Sequence, residues 1–182
     1  MSNTASADAI VVGAGPAGAA AAFHLASSGR RVILLEQQKS PGQTNPCGGG
    51  MAASVQRWFP FDLSPAVDQV IRRVRFTWAL EDPVGAELPG DAPFWIVRRR
   101  VLDPYLAAMA EEAGADLRCA SSAEAIGKEA GLWQVRLAGG ETLRAPGLVV
   151  ADGSGSRHAG ALGLGPSSPR FCLLYTSDAA DE

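Results

Sequence analysis

Residues 8–36, DAIVVGAGPAGAAAAFHLASSGRRVILLE, limit what this chain can fold into more than any other stretch. The apolar run Ala9–Val12 reads as a buried parallel strand. It meets Gly13-Ala14-Gly15-Pro16-Ala17-Gly18, a G-x-G-x-x-G, and an Ala-rich helix is expected from Ala17 to Ser28. Gly29 stops the helix, and Arg31 to Leu35 reads as a second strand ending in Glu36. Each residue type has a physical job. Gly13 permits the tight strand-to-helix turn, Gly15 leaves the backbone open to a pyrophosphate, and Gly18 lets the helix pack close to the strand. Pro16 fits the first helical turn, where its missing N–H costs nothing. The helix start at Ala17 offers free N–H groups and a positive dipole end to phosphates. Glu36 lies about 20 residues on, where an acid meets ribose hydroxyls, which favours FAD or NAD over NADP. A Gly-rich turn in an ordinary α/β protein is the other reading; the ordered strand, turn, helix, strand and acid favour a dinucleotide site. The stretch is apolar enough to suggest a membrane span, but its Gly, Pro, His24 and small side chains argue against one.

The chain has 182 residues, enough for one domain with a real core. With 47% apolar and 19% charged residues it falls among globular proteins, not disordered ones. A net charge of -3 gives no general pull toward nucleic acid. Cys47, Cys119 and Cys172 are odd in number, with neither paired nor metal-type spacing, so a reducing compartment and no metal site are expected. The N-terminus, MSNTASADA, has no charged and apolar leader pattern, so a cytoplasmic protein is expected.

Residues 37–54 read as a long polar, Gly-rich loop, of the kind that is functional or disordered. Within it, Pro46-Cys47-Gly48-Gly49-Gly50 is either a flexible linker with an incidental cysteine or a place where backbone lies against a flat ligand beside an uncrowded thiol. Trp58, Phe59 and Phe61 are expected to pack under this loop, or else to line an apolar pocket. Residues 70–80 alternate as one strand with a greasy face (Val74, Phe76, Trp78, Leu80) and a solvated arginine face. Pro83 to Pro93 reads as turns and Phe94 to Val97 as a short strand, so this block resembles an inserted antiparallel sheet. A helix is expected from Arg98 to about Ala113, with one arginine of Arg98-Arg99-Arg100 able to reach a phosphate. Ala115–Cys119 is a further strand, and 122–151 a β-meander with a hairpin turn at Gly139-Gly140. Leu148–Ala151 is a second buried strand running into Asp152-Gly153-Ser154-Gly155-Ser156-Arg157, either an ordinary Asp-Gly turn or a second contact for an extended cofactor. His24 reads as structural, and Ser154, Ser156 and His158 lack a nucleophile-elbow context.

The order GAGPAG, distal Glu, PCGGG, VRRRVLDPYL and ADGSGSR resembles the FAD-dependent geranylgeranyl reductase family, which shares its fold with p-hydroxybenzoate hydroxylase. The likeness covers residues 8 to about 165. It implies an α/β fold: a Rossmann-like FAD/NAD(P)-binding domain with a parallel sheet, a β-meander and an inserted, partial antiparallel sheet. The expected layout is an incomplete FAD-binding domain over 1–170, the start of a substrate-domain sheet at 62–97, and a non-native tail at 171–182. The resemblance further implies that Gly13, Gly15, Pro16, Ala17 and Gly18 hold the FAD pyrophosphate and that Glu36 binds the adenosine ribose. Arg99 matches the family arginine facing the cofactor, and Asp152 and Gly153 match its Asp-Gly motif. Cys47, Gly48, Gly49 and Gly50 would lie near the flavin ring, with Cys47 the catalytic candidate. Gly50, Gly155 and His158 depart from the commonest family patterns, which leaves the subgroup open. The activity implied is reduction of prenyl double bonds of an isoprenoid lipid or chlorophyll-type substrate, with NADPH or ferredoxin as electron donor and peripheral membrane contact through the greasy substrate. A flavin monooxygenase or halogenase of the same fold, or an inactive dinucleotide-binding fragment, are the alternatives.

Overall fold

The computed structural model describes residues 5–43, 47–91 and 93–164. The chain divides into two compact units: the stretches before residue 45 and after residue 102, and residues 45–102 between them. The second unit takes in the 62–97 stretch and extends past it at both ends.

In the first unit, β1 (Ala9–Val12), α1 (Pro16–Ser27) and β2 (Val32–Leu35) follow the expected order, with α1 starting one residue early on its proline. β1 and β2 are parallel, Ala9 opposite Val32 and Val12 opposite Leu35. Their eight residues are all buried. A continuous apolar run is what a strand covered on both faces requires.

The 45–102 unit departs further from expectation. The supposed loop contains β3 (Gly50–Ala52) and the start of a 3-10 helix, Ala53–Trp58. The 70–80 strand is two, β4 (Val67–Ile71) and β5 (Arg73–Trp78). β6 (Glu81–Glu87) runs into the supposed turn region, and β7 (Phe94–Val97) is as expected. β3 and β4 flank β7 in an antiparallel sheet, while β5 and β6 form a separate ribbon. The ribbon's greasy face exists but is open: Phe76 is 66% and Trp78 82% exposed. Arg73 on the other face pairs with Glu87 at 2.6 Å, both in solvent. Trp58 is not packed under the loop but 61% exposed. Phe59 and Phe61 do meet, with ring centroids 5.1 Å apart. The Gln56 side chain folds that segment, donating to the Phe61 carbonyl at 2.8 Å and accepting from the Leu63 N–H at 2.8 Å.

The boundary at 102/103 falls within α2 (Arg99–Glu112). After α2 come β8 (Asp116–Arg118), β9 (Ala123–Glu129), β10 (Leu132–Leu137), β11 (Thr142–Ala145), β12 (Gly147–Val150) and α3 (Arg157–Ala161). The parallel sheet runs β12-β1-β2-β8, and β11-β10-β9 form the meander. Ile10, Val12, Ile33 and Leu35 join Val135, Leu137, Leu143 and Ala145 in one core. Each fully buried Ile, Leu or Val contributes about 1.5–3 kcal/mol. The Gly-loop strands are therefore anchored in that core. α1 packs on β1, β2 and β12.

Candidate functional site

The carboxyl ends of β1, β2 and β12 meet in the first unit, and of the expected residues the glycine loop, Glu36, Asp152 and Gly153 lie there. Ligands of open α/β sheets bind at such strand ends. Gly13 leaves β1 with φ +99, a left-handed value natural to glycine, and its N–H donates to the Leu35 carbonyl at 2.8 Å. A Cβ at Gly13 would lie 2.5 Å from the Ala151 carbonyl oxygen. One at Gly18 would lie 1.8 Å from the Gly13 carbonyl oxygen. Both glycines are thus required by the chain's own packing. Gly15 is the N-cap of α1, with no side-chain cap bond, and Pro16 opens the helix. The first-turn amides of Ala17 and Gly18 have no intrahelical acceptor by helix geometry, which leaves a positive, uncapped end.

Glu36 directly follows β2 and is only 8% exposed. Its Oε2 accepts from the Ala14 N–H at 3.2 Å and its Oε1 from the Gln38 N–H at 2.9 Å. Ala14 and Gln38 carry no sequence signal for this role, because each meets the carboxylate through its backbone N–H. Beside Gly13, Asp152 follows β12, and its Oδ1 is buried without a hydrogen-bond partner. Such an oxygen costs about 1–3 kcal/mol when left unpaired. It invites a donor that none of the described residues supplies. Gly153 turns with φ +90, and Ser156 caps α3 by accepting from the Ala159 N–H at 2.9 Å. Ser156 thus has a capping job, and His158 is buried with Nε2 3.2 Å from the Ala123 carbonyl. His24, by contrast, sits on the exposed side of α1, edge-on to Phe23. Cys119 is partly buried; burial, then the charges of Glu36 and Glu111, push its thiol above the usual range.

Cys47, Gly48, Gly49, Gly50 and Arg99 belong to the other unit. Gly49 has φ +71, and a Cβ there would lie 1.9 Å from the Val97 carbonyl oxygen. The Val97 N–H donates to the Gly49 carbonyl at 2.9 Å, and Gly50 pairs with Ile96. This is a built strand edge, not a flexible linker. Cys47 is exposed, its Sγ accepting from the Gly49 N–H at 3.4 Å. Nothing lies within 4 Å of a Cβ at Gly48. Of the three arginines, Arg98 is exposed and pairs with Asp68 at 2.7 Å, Arg100 is exposed, and Arg99 is half-buried in the first turn of α2. Pro46, Cys172 and the 171–182 tail lie outside the described residues. Among the described residues no group of three or more His, Cys, Asp or Glu could hold a metal ion. No helix among them is long and apolar enough to cross a membrane.

The model of the FAD-dependent oxidoreductase family matches residues 8–162. The chain belongs to that family. The uncapped start of α1, the glycine cradle and the unpaired Asp152 oxygen suit the phosphates and hydroxyls of such a cofactor. A probable electron transfer flavoprotein-quinone oxidoreductase of Escherichia coli is 32% identical over 88% of the chain and 40% of the relative. A digeranylgeranylglycerophospholipid reductase of Methanothermobacter thermautotrophicus is 33% identical over 96% of the chain and 47% of the relative. Among solved structures, a geranylgeranyl bacteriochlorophyll reductase-like protein of Thermoplasma acidophilum superposes with a TM-score of 0.68 at 26% identity, over 81% of this chain and 39% of that one. The chain spans less than half the length of these relatives.

Proposed function

We propose that this chain is the flavin-holding portion of a reductase that saturates prenyl double bonds of an isoprenoid lipid. The observation that carries the proposal is the 33% identity, over 96% of the chain, to a digeranylgeranylglycerophospholipid reductase. When bound and reduced, FAD would supply a hydride to one alkene carbon and be left oxidised. The chain's own residues bind and orient it. The amides at Ala17 and Gly18 face the pyrophosphate, Gly13 and Gly15 let it come close, and Pro16 gives up no needed donor. Glu36 accepts from adenosine ribose hydroxyls with its remaining lone pairs, and Asp152 Oδ1 gains the donor it lacks, on the turn made by Gly153. Arg99 offers a guanidinium to a phosphate. Gly48 leaves room for a flat ring against the backbone held by Gly49 and Gly50. Cys47 is the group in that loop with a transferable proton, and is the candidate for protonating the second alkene carbon. NADPH or a ferredoxin donates the electrons, and a lipid substrate brings peripheral membrane contact.

A second reading, transfer of electrons to a quinone, is favoured by the 32% identity to a probable electron transfer flavoprotein-quinone oxidoreductase. One experiment separates the two. A full-length protein carrying this chain is purified, assayed for FAD released on denaturation, reduced without oxygen, and mixed with a digeranylgeranyl phospholipid or with a quinone. The lipid is expected to gain two hydrogens per double bond by mass spectrometry. A flavin-free protein with unchanged lipid sinks both readings, and quinone reduction without lipid saturation selects the second.

A further inference from the structure

Glu36 is fixed at four points with no ligand in place. Its N–H donates to the Arg118 carbonyl at 2.9 Å and its carbonyl accepts from the Ser121 N–H at 2.8 Å. Its two carboxylate oxygens accept separately, one from Ala14 in the glycine loop and one from Gln38 beyond β2. A carboxylate has about four lone-pair sites, so two remain for hydroxyls. A residue that only waited for a ribose would have no need to reach 22 positions back to a loop amide. We propose that Glu36 is a positioning residue: it latches the glycine loop in its phosphate-ready shape before any cofactor arrives. One carboxylate then couples the recognition of two parts of the ligand, the sugar directly and the pyrophosphate through Ala14. Packing holds the loop at Gly13 and Ala14, and the Ala14 N–H bond to Glu36 adds a polar tie. The Gly13 N–H bond to Leu35 anchors its first residue, and no side chain caps α1 at Gly15.

The latch rests on the glycine loop being the phosphate cradle. It is tested on the flavin-free 182-residue chain with inorganic pyrophosphate, which carries no ribose. In Glu36→Gln, one of the two N–H groups faces an amide NH2 instead of an acceptor. The expected result is an affinity for pyrophosphate about tenfold lower, the weight of one hydrogen bond to a charged group. Amide exchange at Ala14 should rise by about the same factor, with Val11 and Leu34 unchanged. Pyrophosphate affinity equal to that of the unsubstituted chain, alongside weaker AMP binding, would leave Glu36 a sugar contact only and overturn the latch. So would unchanged exchange at Ala14, or exchange that rises equally at Val11 and Leu34. Where pyrophosphate binds neither form measurably, Ala14 exchange decides alone. If Glu36→Gln does not fold, the unsubstituted chain still answers: the latch requires the Ala14 amide to be protected from exchange without ligand, and exchange as fast as in an unstructured peptide refutes it. All readings of Ala14 are taken without ligand, so they fail only with the latch, whereas absence of FAD from a full-length protein fails the flavin reading.

Discussion

Gly18→Ala isolates how far the glycine motif serves the fold and not the cofactor. The new Cβ would stand 1.8 Å from the Gly13 carbonyl oxygen, 3.0 Å from its carbon and 3.3 Å from the Ala151 Cβ. A comfortable separation is about 3.5 Å, so the start of α1 and the loop must part by roughly 1.5 Å or more. The first contact is backbone, which cannot rotate away. Gly13 is also tied by its N–H to Leu35 and the loop by Ala14 to Glu36, so movement loosens those bonds. Overpacking of this severity costs about 3 kcal/mol, and a weakened loop hydrogen bond about 1 kcal/mol more. Against this, alanine in place of glycine inside a helix gains about 1 kcal/mol. The net loss is about 3 kcal/mol. Urea unfolding of the flavin-free chain, followed by far-UV circular dichroism, measures it. Gly48→Ala is the control: nothing lies within 4 Å of its Cβ and it needs no left-handed φ, so its stability should stay within about 0.5 kcal/mol of the unsubstituted chain. If Gly18→Ala is as stable as Gly48→Ala, the close approach of α1 to the loop is not what holds glycine at position 18.

Two further outcomes follow from the ionisable groups. Cys47 is exposed, whereas burial and the nearby Glu36 and Glu111 charges raise the Cys119 thiol above 9.0. At pH 8 less of Cys119 is thiolate, so peptide mapping after iodoacetamide should find Cys47 labelled well ahead of it, and equal rates would contradict the geometry. Asp8 accepts from the Arg31 N–H at 2.8 Å and from its guanidinium at 2.9 Å, which holds its carboxyl below 3.8. A carboxyl depressed in the folded state stabilises above its unfolded value and loses that contribution as pH falls through the folded one. Urea midpoints of Asp8→Asn should therefore trail the unsubstituted chain at neutral pH, the gap closing below about pH 3.8. A gap that persists in acid would mean that Asp8 acts through something other than its charge.

What could be read from the sequence divides by whether a residue's side chain, or its lack of one, carries the requirement. Gly13 at φ +99, Pro16 opening α1 and Gly140 at φ +87 in the β10–β11 turn each satisfy a local demand that names its residue type, so β1, α1, β2 and that hairpin were legible. The β5–β6 ribbon was not. Its turn places Ala79 and Leu80 at φ +48 and +66, where glycine or asparagine is expected, and Pro83 falls where the register slips. β3 hid inside a run of glycines because its partner β7 supplies the pairing that the run itself does not announce. At the site the same division holds. Glu36 and Asp152 could be named from their type, but the Ala14 N–H that Glu36 holds could belong to any residue. The glycines then separate. Gly13, Gly18 and Gly49 are demanded by carbonyl oxygens of the chain itself, while Gly48 is demanded by none of the described residues. A G-x-G-x-x-G match therefore reports a strand packed against a helix as much as it reports a phosphate. The argument for a ligand comes from what the fold leaves unfinished: a helix start with no cap and a buried carboxylate oxygen with no donor, side by side at the ends of neighbouring strands.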